Sequence, residues 1–254
     1  MDLSDKTIAI TGGGRGLGAA MGKRLASQGC RLALIDMDEE ALSVTAAECV
    51  EAGSPQVATY KVNVAREDEV VALFDRIAAD FAALHGLVNN AGITRDALTL
   101  KYKDGEQVSR MSLDQWQLVI DVNLTGVFLC GREAAAKMIE LGCEGCLINI
   151  SSISRAGNMG QVNYSATKAG VEAMAVVWAK EFARYGIRAA SIAPGFIGTD
   201  MVMAMKPEAR EKLTSVIPLQ RVGNPDDIAK TVQFILENDY LSGRCIDVDG
   251  ALRL

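Results

Sequence analysis

The sequence predicts an α/β protein, a single-domain doubly wound parallel sheet (Rossmann fold) of about seven strands with helices on both faces. Short apolar segments alternate along the chain with longer segments of helical periodicity. The apolar segments are continuous rather than alternating, which is typical of parallel strands covered on both faces. No linker, composition shift or internal repeat divides residues 1–254, so a single domain is predicted.

The first half of the chain contains four predicted strands and three predicted helices. Apolar segments predict strands at 6–11, 31–36, 56–64 and 86–92, the last of these running into a turn. The helical segments between them are 15–29, 37–53 and 66–84. The first two helices close at Gly29 and Gly53, as glycine permits at a helix end.

The second half repeats the same alternation with longer helices. A helix over 113–141 precedes a strand at 146–151, and a helix over 163–185 precedes a strand at 188–193. A last helix at 225–238 leads to a last strand at 244–250. Right-handed crossovers between such strands produce a doubly wound sheet.

Composition argues against several classes of function. The net charge is −6 and the basic residues are scattered, which does not favour nucleic acid as a partner. No apolar run reaches membrane-spanning length, and the first residues do not resemble a signal peptide, so we expect a cytoplasmic protein that does not enter a membrane. Six cysteines without a disulfide spacing are expected to be thiols.

Two further patterns favour ordinary structural roles. Cys143 and Cys146 form a C-x-x-C motif, but no second pair or neighbouring histidine accompanies them, so no metal site is predicted. His85 is the only histidine and immediately precedes a predicted strand, which favours a loop residue over a member of a hydrolase triad.

A glycine-rich turn joins the first strand to the first helix. Gly12, Gly16 and Gly18 would allow backbone N–H groups to approach a pyrophosphate at the helix N-terminus. Asp36 ends the second strand, where a carboxylate accepts ribose hydroxyls and repels a 2′-phosphate, which favours NAD. Arg15 favours NADP, because it could pair with that phosphate. We give Asp36 the greater weight.

Tyr164 precedes Lys168 by four residues within a predicted helix, so the two side chains share a helix face. A neighbouring ammonium group lowers the pKa of a phenol and makes it a usable acid or base. The alternative is a surface pair without function, and the motif alone does not decide between them.

Further motifs occur in order along almost the whole chain: "TGGGRGLG", "NNAG" at 89–92, "NLTG" at 123–126, "GCLINISS", "YSATK" and "PGFIGT" at 194–199. Together they resemble the short-chain dehydrogenase/reductase family. The segments "GITRD", "NLTGVF" and "GNMGQVNYSATKAG" are most similar to the 3-oxoacyl-[acyl-carrier-protein] reductases.

The resemblance implies a catalytic set. Tyr164 would exchange a proton with the substrate oxygen, and Lys168 would also hold the nicotinamide ribose. Ser152 would hydrogen-bond the substrate oxygen, and Asn123 would hold a water next to Lys168. The family's spacing of thirteen residues before the tyrosine selects Ser151 instead of Ser152, whereas the strand pattern selects Ser152, which we favour because loops tolerate deletions.

The glycine turn and the resemblance together imply an NAD(P) site, with NAD(H) preferred over NADP(H). The expected cofactor-binding residues are Gly12, Arg15, Gly16, Leu17, Gly18, Asp36, Asn63, Val64, Asn90, Ala91, Gly92, Tyr164, Lys168, Pro194, Gly195, Ile197 and Thr199. The resemblance also implies a homotetramer, with the helices predicted at 113–141 and 163–185 forming a dimer face.

The expected substrate is a small-molecule or acyl-thioester carbonyl. Relatives that use a carrier protein are thought to dock it through arginines, and this acidic chain has Gly142 and Tyr185 at the corresponding positions. The segment 100–112 is longer than in close relatives and should border the active-site mouth. The alternatives are an NAD-dependent dehydrogenase of a small secondary alcohol or polyol without a carrier, and a catalytically silent dinucleotide-binding module. The complete catalytic set favours an enzyme.

Overall fold

The computed structural model describes residues 1–199, 202 and 207–253, and a seven-stranded parallel sheet runs through them. The strands lie in the order β3-β2-β1-β4-β7-β8-β9. Their bounds are β1 Thr7–Thr11, β2 Arg31–Asp36, β3 Val57–Lys61, β4 Gly86–Asn89, β7 Gly145–Ile150, β8 Ile187–Pro194 and β9 Cys245–Val248. All neighbouring pairs are parallel, which confirms the predicted fold class.

Helices cover both faces of this sheet. They are α1 Gly16–Ala26, α2 Glu39–Glu51, α3 Glu67–Phe81, α4 Leu113–Ile120, α5 Gly126–Glu140, α6 Val162–Glu181, α7 Pro207–Ser215 and α8 Pro225–Glu237. One core contains Phe74, Leu129 and Trp178 from α3, α5 and α6. The other contains Met21 and Ile235 from α1 and α8. None of the described helices combines the length and the apolarity needed to cross a membrane.

The order of the strands reverses at β1, which pairs with β2 on one side and with β4 on the other. The connections from β1 and β4 therefore leave toward opposite faces of the sheet, and a crevice opens at the carboxyl ends of these strands. The glycine-rich turn and the 89–92 turn both lie at this crevice.

Several predicted boundaries were wrong. The predicted helix 113–141 is interrupted by a π-helical turn at Asp121–Thr125, which contains Asn123. The strand predicted at 56–64 ends at Lys61, because Asn63 accepts a hydrogen bond from the Ala65 N–H and turns the chain away from the sheet. The strand predicted at 86–92 ends at Asn89, and α6 ends at Glu181 before a short 3₁₀ turn.

The segment 100–112 contains a β-hairpin, which is not among the elements predicted above. Its strands are β5 Leu100–Lys103 and β6 Glu106–Arg110, and they form a separate two-stranded antiparallel sheet. Asp104 and Gly105 both have positive φ, 53° and 84°, as a tight hairpin turn requires. Every residue of both strands is exposed.

Candidate active site

The glycine-rich turn forms a narrow cradle at the N-terminus of α1. Gly12 and Gly16 have positive φ, 63° and 56°. A Cβ on Gly18 would overlap the carbonyl oxygen of Gly12, so only glycine allows this close packing of turn against helix. Such a turn exposes N–H groups at a helix N-terminus, and the cradle fits the pyrophosphate of a dinucleotide.

The 89–92 turn braces this cradle from the neighbouring strand. The Asn90 side-chain amide donates hydrogen bonds of 3.0 Å to the carbonyl oxygens of Thr11 and Gly12. The backbone N–H groups of Asn90 and Ala91 donate to the Thr11 hydroxyl at 3.0 and 3.1 Å. The predicted residues Asn90, Ala91 and Gly12 therefore lie together at the switch point of the sheet.

Asp36 holds the glycine-rich turn against the end of β2. Its carboxylate accepts hydrogen bonds from the N–H groups of Gly14 at 3.0 Å, Met37 at 2.7 Å and Asp38 at 3.2 Å. The N-cap of α2 is Asp38 and not Asp36, because the Asp38 carboxylate accepts the hydrogen bond from the Ala41 N–H. Asp36 therefore remains available at the carboxyl end of β2.

Arg15 is not a free cation, because it forms an exposed ion pair with Asp38. The hydrogen bond from the Ala41 backbone is the largest cause of the lowered pKa of Asp38. Desolvation opposes it, and the charge of Arg15 adds a smaller lowering effect. Sequence reasoning missed Asp38, although an acidic residue two positions after Asp36 was a visible signal. Two carboxylates and one arginine thus meet beside the cradle.

The remaining predicted cofactor residues surround the crevice. Leu17 packs against the core beneath α1, and Val64 is buried against Gly126 of α5.

After β8, which ends at Pro194, the Gly195 N–H donates to the Val248 carbonyl at 2.9 Å. Ile197 is buried and pairs with Gly223, which brings Thr199 next to Gly16. Asn63 follows β3 in the turn described above.

The two serines after β7 have different environments. Ser151 is buried, and its hydroxyl donates a 2.7 Å hydrogen bond to the Lys168 carbonyl. Ser152 lies beside the Tyr164 phenol, where hydrogen bonding from its hydroxyl lowers the phenol pKa. The Ser152 oxygen accepts from the Ser154 N–H at 3.1 Å, and its own proton is directed toward the phenol. Only Ser152 therefore faces the tyrosine.

Lys168 is buried beneath the tyrosine. Its ammonium group donates a 2.7 Å hydrogen bond to the Ile150 carbonyl and lies 5.4 Å from the centroid of the Tyr164 ring. Desolvation by burial lowers the pKa of Lys168 to about 8. Gly92 adjoins both Lys168 and Asn123, since a Cβ built there would lie 3.6 Å from Nζ and 3.4 Å from Oδ1.

The pKa of Tyr164 is raised, contrary to the expectation that Lys168 would lower it. Desolvation by burial is the largest cause, and the nearby charge of Asp96 adds to it, while Ser152 opposes both. The Lys168 ammonium group, 5.4 Å from the ring centroid, does not reverse this shift. The phenol is therefore protonated at neutral pH and suited to donate a proton.

Asn123 uses its side chain to hold the backbone of Ile93. Its amide accepts from the Ile93 N–H and donates to the Ile93 carbonyl, both at 2.8 Å. These bonds fix the segment that carries Gly92 beside Lys168. The π-helical turn places Asn123 there, and π turns of this kind are frequent at functional sites.

The other sequence candidates have structural roles. The Thr7 N–H donates to His85 Nδ1 at 3.2 Å, and burial lowers the pKa of this loop histidine. Cys146 is buried, and desolvation raises the pKa of its thiol to about 11. In the described ranges no group of three or more histidine, cysteine or acidic side chains is arranged to hold a metal ion.

The chain is similar in sequence to several known proteins. A family model described as enoyl-(acyl carrier protein) reductase matches residues 12–252. The chain is 38% identical to the 3-oxoacyl-[acyl-carrier-protein] reductase FabG of Staphylococcus aureus, over 97% of this chain and 98% of that protein. It is 37% identical to the (3R)-3-hydroxyacyl-CoA dehydrogenase of Canis lupus familiaris, over 98% and 97%. It is also 37% identical to the acetoacetyl-CoA reductase of Synechocystis sp., over 99% and 98%.

Proposed function

The chain belongs to the short-chain dehydrogenase/reductase family, and we propose that it reduces the 3-oxo group of an acyl thioester to a hydroxyl with NADH. At the coarser level it is an NAD(P)-dependent oxidoreductase that acts on a carbonyl or hydroxyl group. The observation that carries the proposal is the Ser152 hydroxyl beside a protonated, half-buried Tyr164, with Lys168 beneath the ring. That arrangement supports proton donation to an oxygen bound between the two hydroxyls.

Each member of this set has a distinct role in the proposed reaction. A bound reduced nicotinamide supplies the hydride to the carbonyl carbon. Ser152 donates a hydrogen bond to the carbonyl oxygen and stabilises the negative charge that develops there. Tyr164 donates its proton to the same oxygen. Lys168 stabilises the resulting phenolate by its positive charge, and Asn123 keeps Gly92 beside that charge.

A water held by Asn123 next to Lys168, as the resemblance implies, remains part of the proposal. The Asn123 amide has already committed one donor and one acceptor to Ile93, so such a water would use its remaining hydrogen-bonding capacity. A water there would return a proton to the phenolate through the ammonium group of Lys168.

The thioester substrate is proposed from the relatives. Three of these relatives are a 3-oxoacyl-[acyl-carrier-protein] reductase, a (3R)-3-hydroxyacyl-CoA dehydrogenase and an acetoacetyl-CoA reductase. All three names describe a 3-oxo or 3-hydroxy group on an acyl thioester. These identities, each over nearly the full length of both chains, support the same substrate class for this protein.

The preference for NADH is proposed from the acidic residues beside the cradle. Asp36 is held at the end of β2, where it can accept ribose hydroxyls and would repel a 2′-phosphate. Asp38 neutralises Arg15, the nearby cation that could attract that phosphate. Both carboxylates therefore disfavour NADPH.

We also propose a homotetramer in the cytoplasm. Helices α5 and α6 expose the large apolar side chains of Phe128, Ile139 and Val177, which favours contact with a second copy of the chain. Sedimentation of the purified protein tests the oligomeric state.

The proposed function is tested by NADH oxidation with acetoacetyl-CoA and longer 3-oxoacyl-CoA thioesters. Simple ketones and diketones without a thioester serve as the comparison. Turnover of the thioesters at least about tenfold above the simple ketones, measured as kcat/KM, supports the proposal. Equal or better turnover of a small ketone or polyol would contradict the thioester assignment.

A further inference from the structure

A groove of about 480 Å³ opens between the base of the β5–β6 hairpin and the loop that joins Ser152 to Tyr164. We call it the hairpin groove. Its walls include Leu98 and Leu100 on one side, Asn158 and Met159 on the other, and Val162 and Ser165 from α6. The Ala97 N–H donates a 2.9 Å hydrogen bond to the Gly160 carbonyl and joins the two walls at their base.

The walls expose more apolar surface than a solvated loop requires. The exposed fractions are 40% for Leu98, 56% for Leu100, 88% for Met159 and 42% for Val162. Clustered large apolar side chains of this kind mark surfaces that bind another molecule, because their burial is favourable. Two of its lining residues, Val162 and Ser165, lie on either side of Tyr164 in the sequence of α6.

The hairpin itself lacks internal support. Within the part of the chain that the structure describes, β5 and β6 pair only with each other and all their residues are exposed. An isolated two-stranded hairpin is marginally stable in water. An apolar ligand between Leu100 and Met159 would give the hairpin a surface to pack against.

One polar group in the groove is unused. The Ser165 hydroxyl oxygen is buried, and among the described residues it has no hydrogen-bond partner. A buried hydroxyl without a partner costs free energy that a polar ligand group can recover. The groove therefore combines mainly apolar walls with a hydroxyl that has no partner, on the residue that follows Tyr164.

We propose that the hairpin groove binds the alkyl chain of a linear 3-oxoacyl thioester, so that the enzyme prefers medium-length chains to the four-carbon substrate. This inference rests on the proposed function and adds chain-length selection by a segment outside the main sheet. Apolar walls exclude a charged or heavily hydroxylated substituent, whose polar groups would lose water without replacement. The Ser165 hydroxyl would bond a polar atom near the carbonyl end of the ligand.

The test compares kcat/KM for acetoacetyl-CoA and 3-oxodecanoyl-CoA, which differ by six methylenes. A fully buried methylene is worth about fourfold in affinity. Because the groove is partly open, we expect a total preference of at least about tenfold for the longer chain in the parent protein. Leu100→Ser should reduce that preference to about threefold or less, mainly through a higher KM for 3-oxodecanoyl-CoA.

Tyr102→Ser is the matched control. Tyr102 is 60% exposed on the same strand as Leu100, which is 56% exposed, but it does not line the groove. Its substitution should leave the chain-length preference intact. If both substitutions reduce the preference equally, the effect comes from the hairpin's stability, and the groove assignment is wrong.

Hydrogen exchange gives a second readout that does not depend on turnover. With NADH and 3-hydroxydecanoyl-CoA bound together, no hydride can be transferred, and backbone amides of 98–110 should exchange more slowly than with 3-hydroxybutyryl-CoA. Equal exchange with the two ligands, together with equal kcat/KM for the two chain lengths, would contradict the proposal that the hairpin groove binds the alkyl chain. Absence of activity with every thioester would instead contradict the proposed function.

Discussion

The Lys168 ammonium lies 5.4 Å from the centroid of the Tyr164 ring and is anchored by a 2.7 Å hydrogen bond to the Ile150 carbonyl. Helical spacing brings the two residues onto one face, and strand β7 supplies the carbonyl that fixes the lysine. Burial raises the pKa of the phenol and lowers the pKa of the ammonium. Both shifts favour the neutral form of each group. A negative charge on the phenol and a positive charge on the lysine are therefore each stabilised by the presence of the other.

Tyr164→Phe should retain the fold and cofactor binding and lose at least about 10²-fold in kcat, the scale of general acid catalysis. The substitution removes only the hydroxyl, and the ring remains packed over Lys168. Turnover is measured with the preferred thioester, and binding of NADH by fluorescence titration. Near-normal kcat in the purified variant would rule out Tyr164 as the proton donor.

Ser152→Ala and Ser151→Ala should have different effects. Ser152→Ala should lower kcat by about 10²-fold, because it removes the hydrogen bond to the developing oxyanion. Ser151→Ala should lower stability by about 1–3 kcal/mol, because the buried Lys168 carbonyl loses its partner. Steady-state kinetics and urea unfolding of both variants separate the two roles. A larger loss of kcat in Ser151→Ala would reverse the assignment.

Reductive turnover should fall as the pH rises through about 8, the pKa of Lys168. The lysine is charged below this pKa and neutral above it, so the phenolate left by proton donation loses its stabilising charge at high pH. A profile of kcat from about pH 6 to about pH 10 measures this decrease. In Lys168→Gln the decrease should be absent and kcat should be low at every pH. A parent profile that is flat to high pH would contradict the role of the charged lysine.

Asp96→Asn should shift the pH profile of the reverse reaction, oxidation of the alcohol, toward lower pH. Oxidation requires the phenolate of Tyr164, and the charge of Asp96 raises the phenol pKa. Removal of that charge lowers this pKa, so the rate should reach its half-maximum at lower pH. Asparagine can still accept the 2.9 Å hydrogen bond from Gln161, which makes it a conservative substitution. An unchanged profile would show that Asp96 does not act on the phenol.

The parent protein should bind NADH more tightly than NADPH, and removal of both acidic charges should reverse that order. Asp36→Asn removes the charge but keeps an acceptor for the Gly14 N–H, whereas Asp36→Ala would also loosen the glycine-rich turn. Asp38→Asn frees Arg15 from its ion pair. Charge-assisted hydrogen bonds contribute about 1.5–3 kcal/mol, so the double variant should gain about 10- to 100-fold in NADPH affinity.

Fluorescence titration of the parent, both single variants and the double variant tests this preference. Asp36→Asn alone should gain less NADPH affinity than the double variant, because Arg15 is still paired. Tighter binding of NADPH by the parent would mean that Arg15 dominates over both carboxylates.

The main sheet was predictable because its strands are continuous apolar segments between amphipathic helices. The boundaries depended on single side chains, as where Asn63 ends β3 early. The π-helical turn at Asn123 has no signal in hydrophobic periodicity, because the residues on either side of it remain helical. The hairpin did have a sequence signal, because the Asp104–Gly105 pair lies between two short stretches of alternating residues.

The proximity of the site residues was also predictable, since motifs at the carboxyl ends of parallel strands meet at one edge of the sheet. The choice between Ser151 and Ser152 needed coordinates, because it depends on which hydroxyl faces α6 and which faces the phenol. The raised pKa of Tyr164 could not be predicted either. It depends on how far the phenol is buried and on the position of Asp96, neither of which follows from the spacing of Tyr164 and Lys168.

The hairpin begins and ends at nearly the same place in space, since the Met111 N–H donates a 3.2 Å hydrogen bond to the Thr99 carbonyl. Lengthening, shortening or replacing the segment between them requires no movement of the sheet or of Tyr164. Substrate range in this protein can therefore diversify independently of its chemistry. An engineer could exchange this one segment between homologues and transplant selectivity without rebuilding the catalytic set.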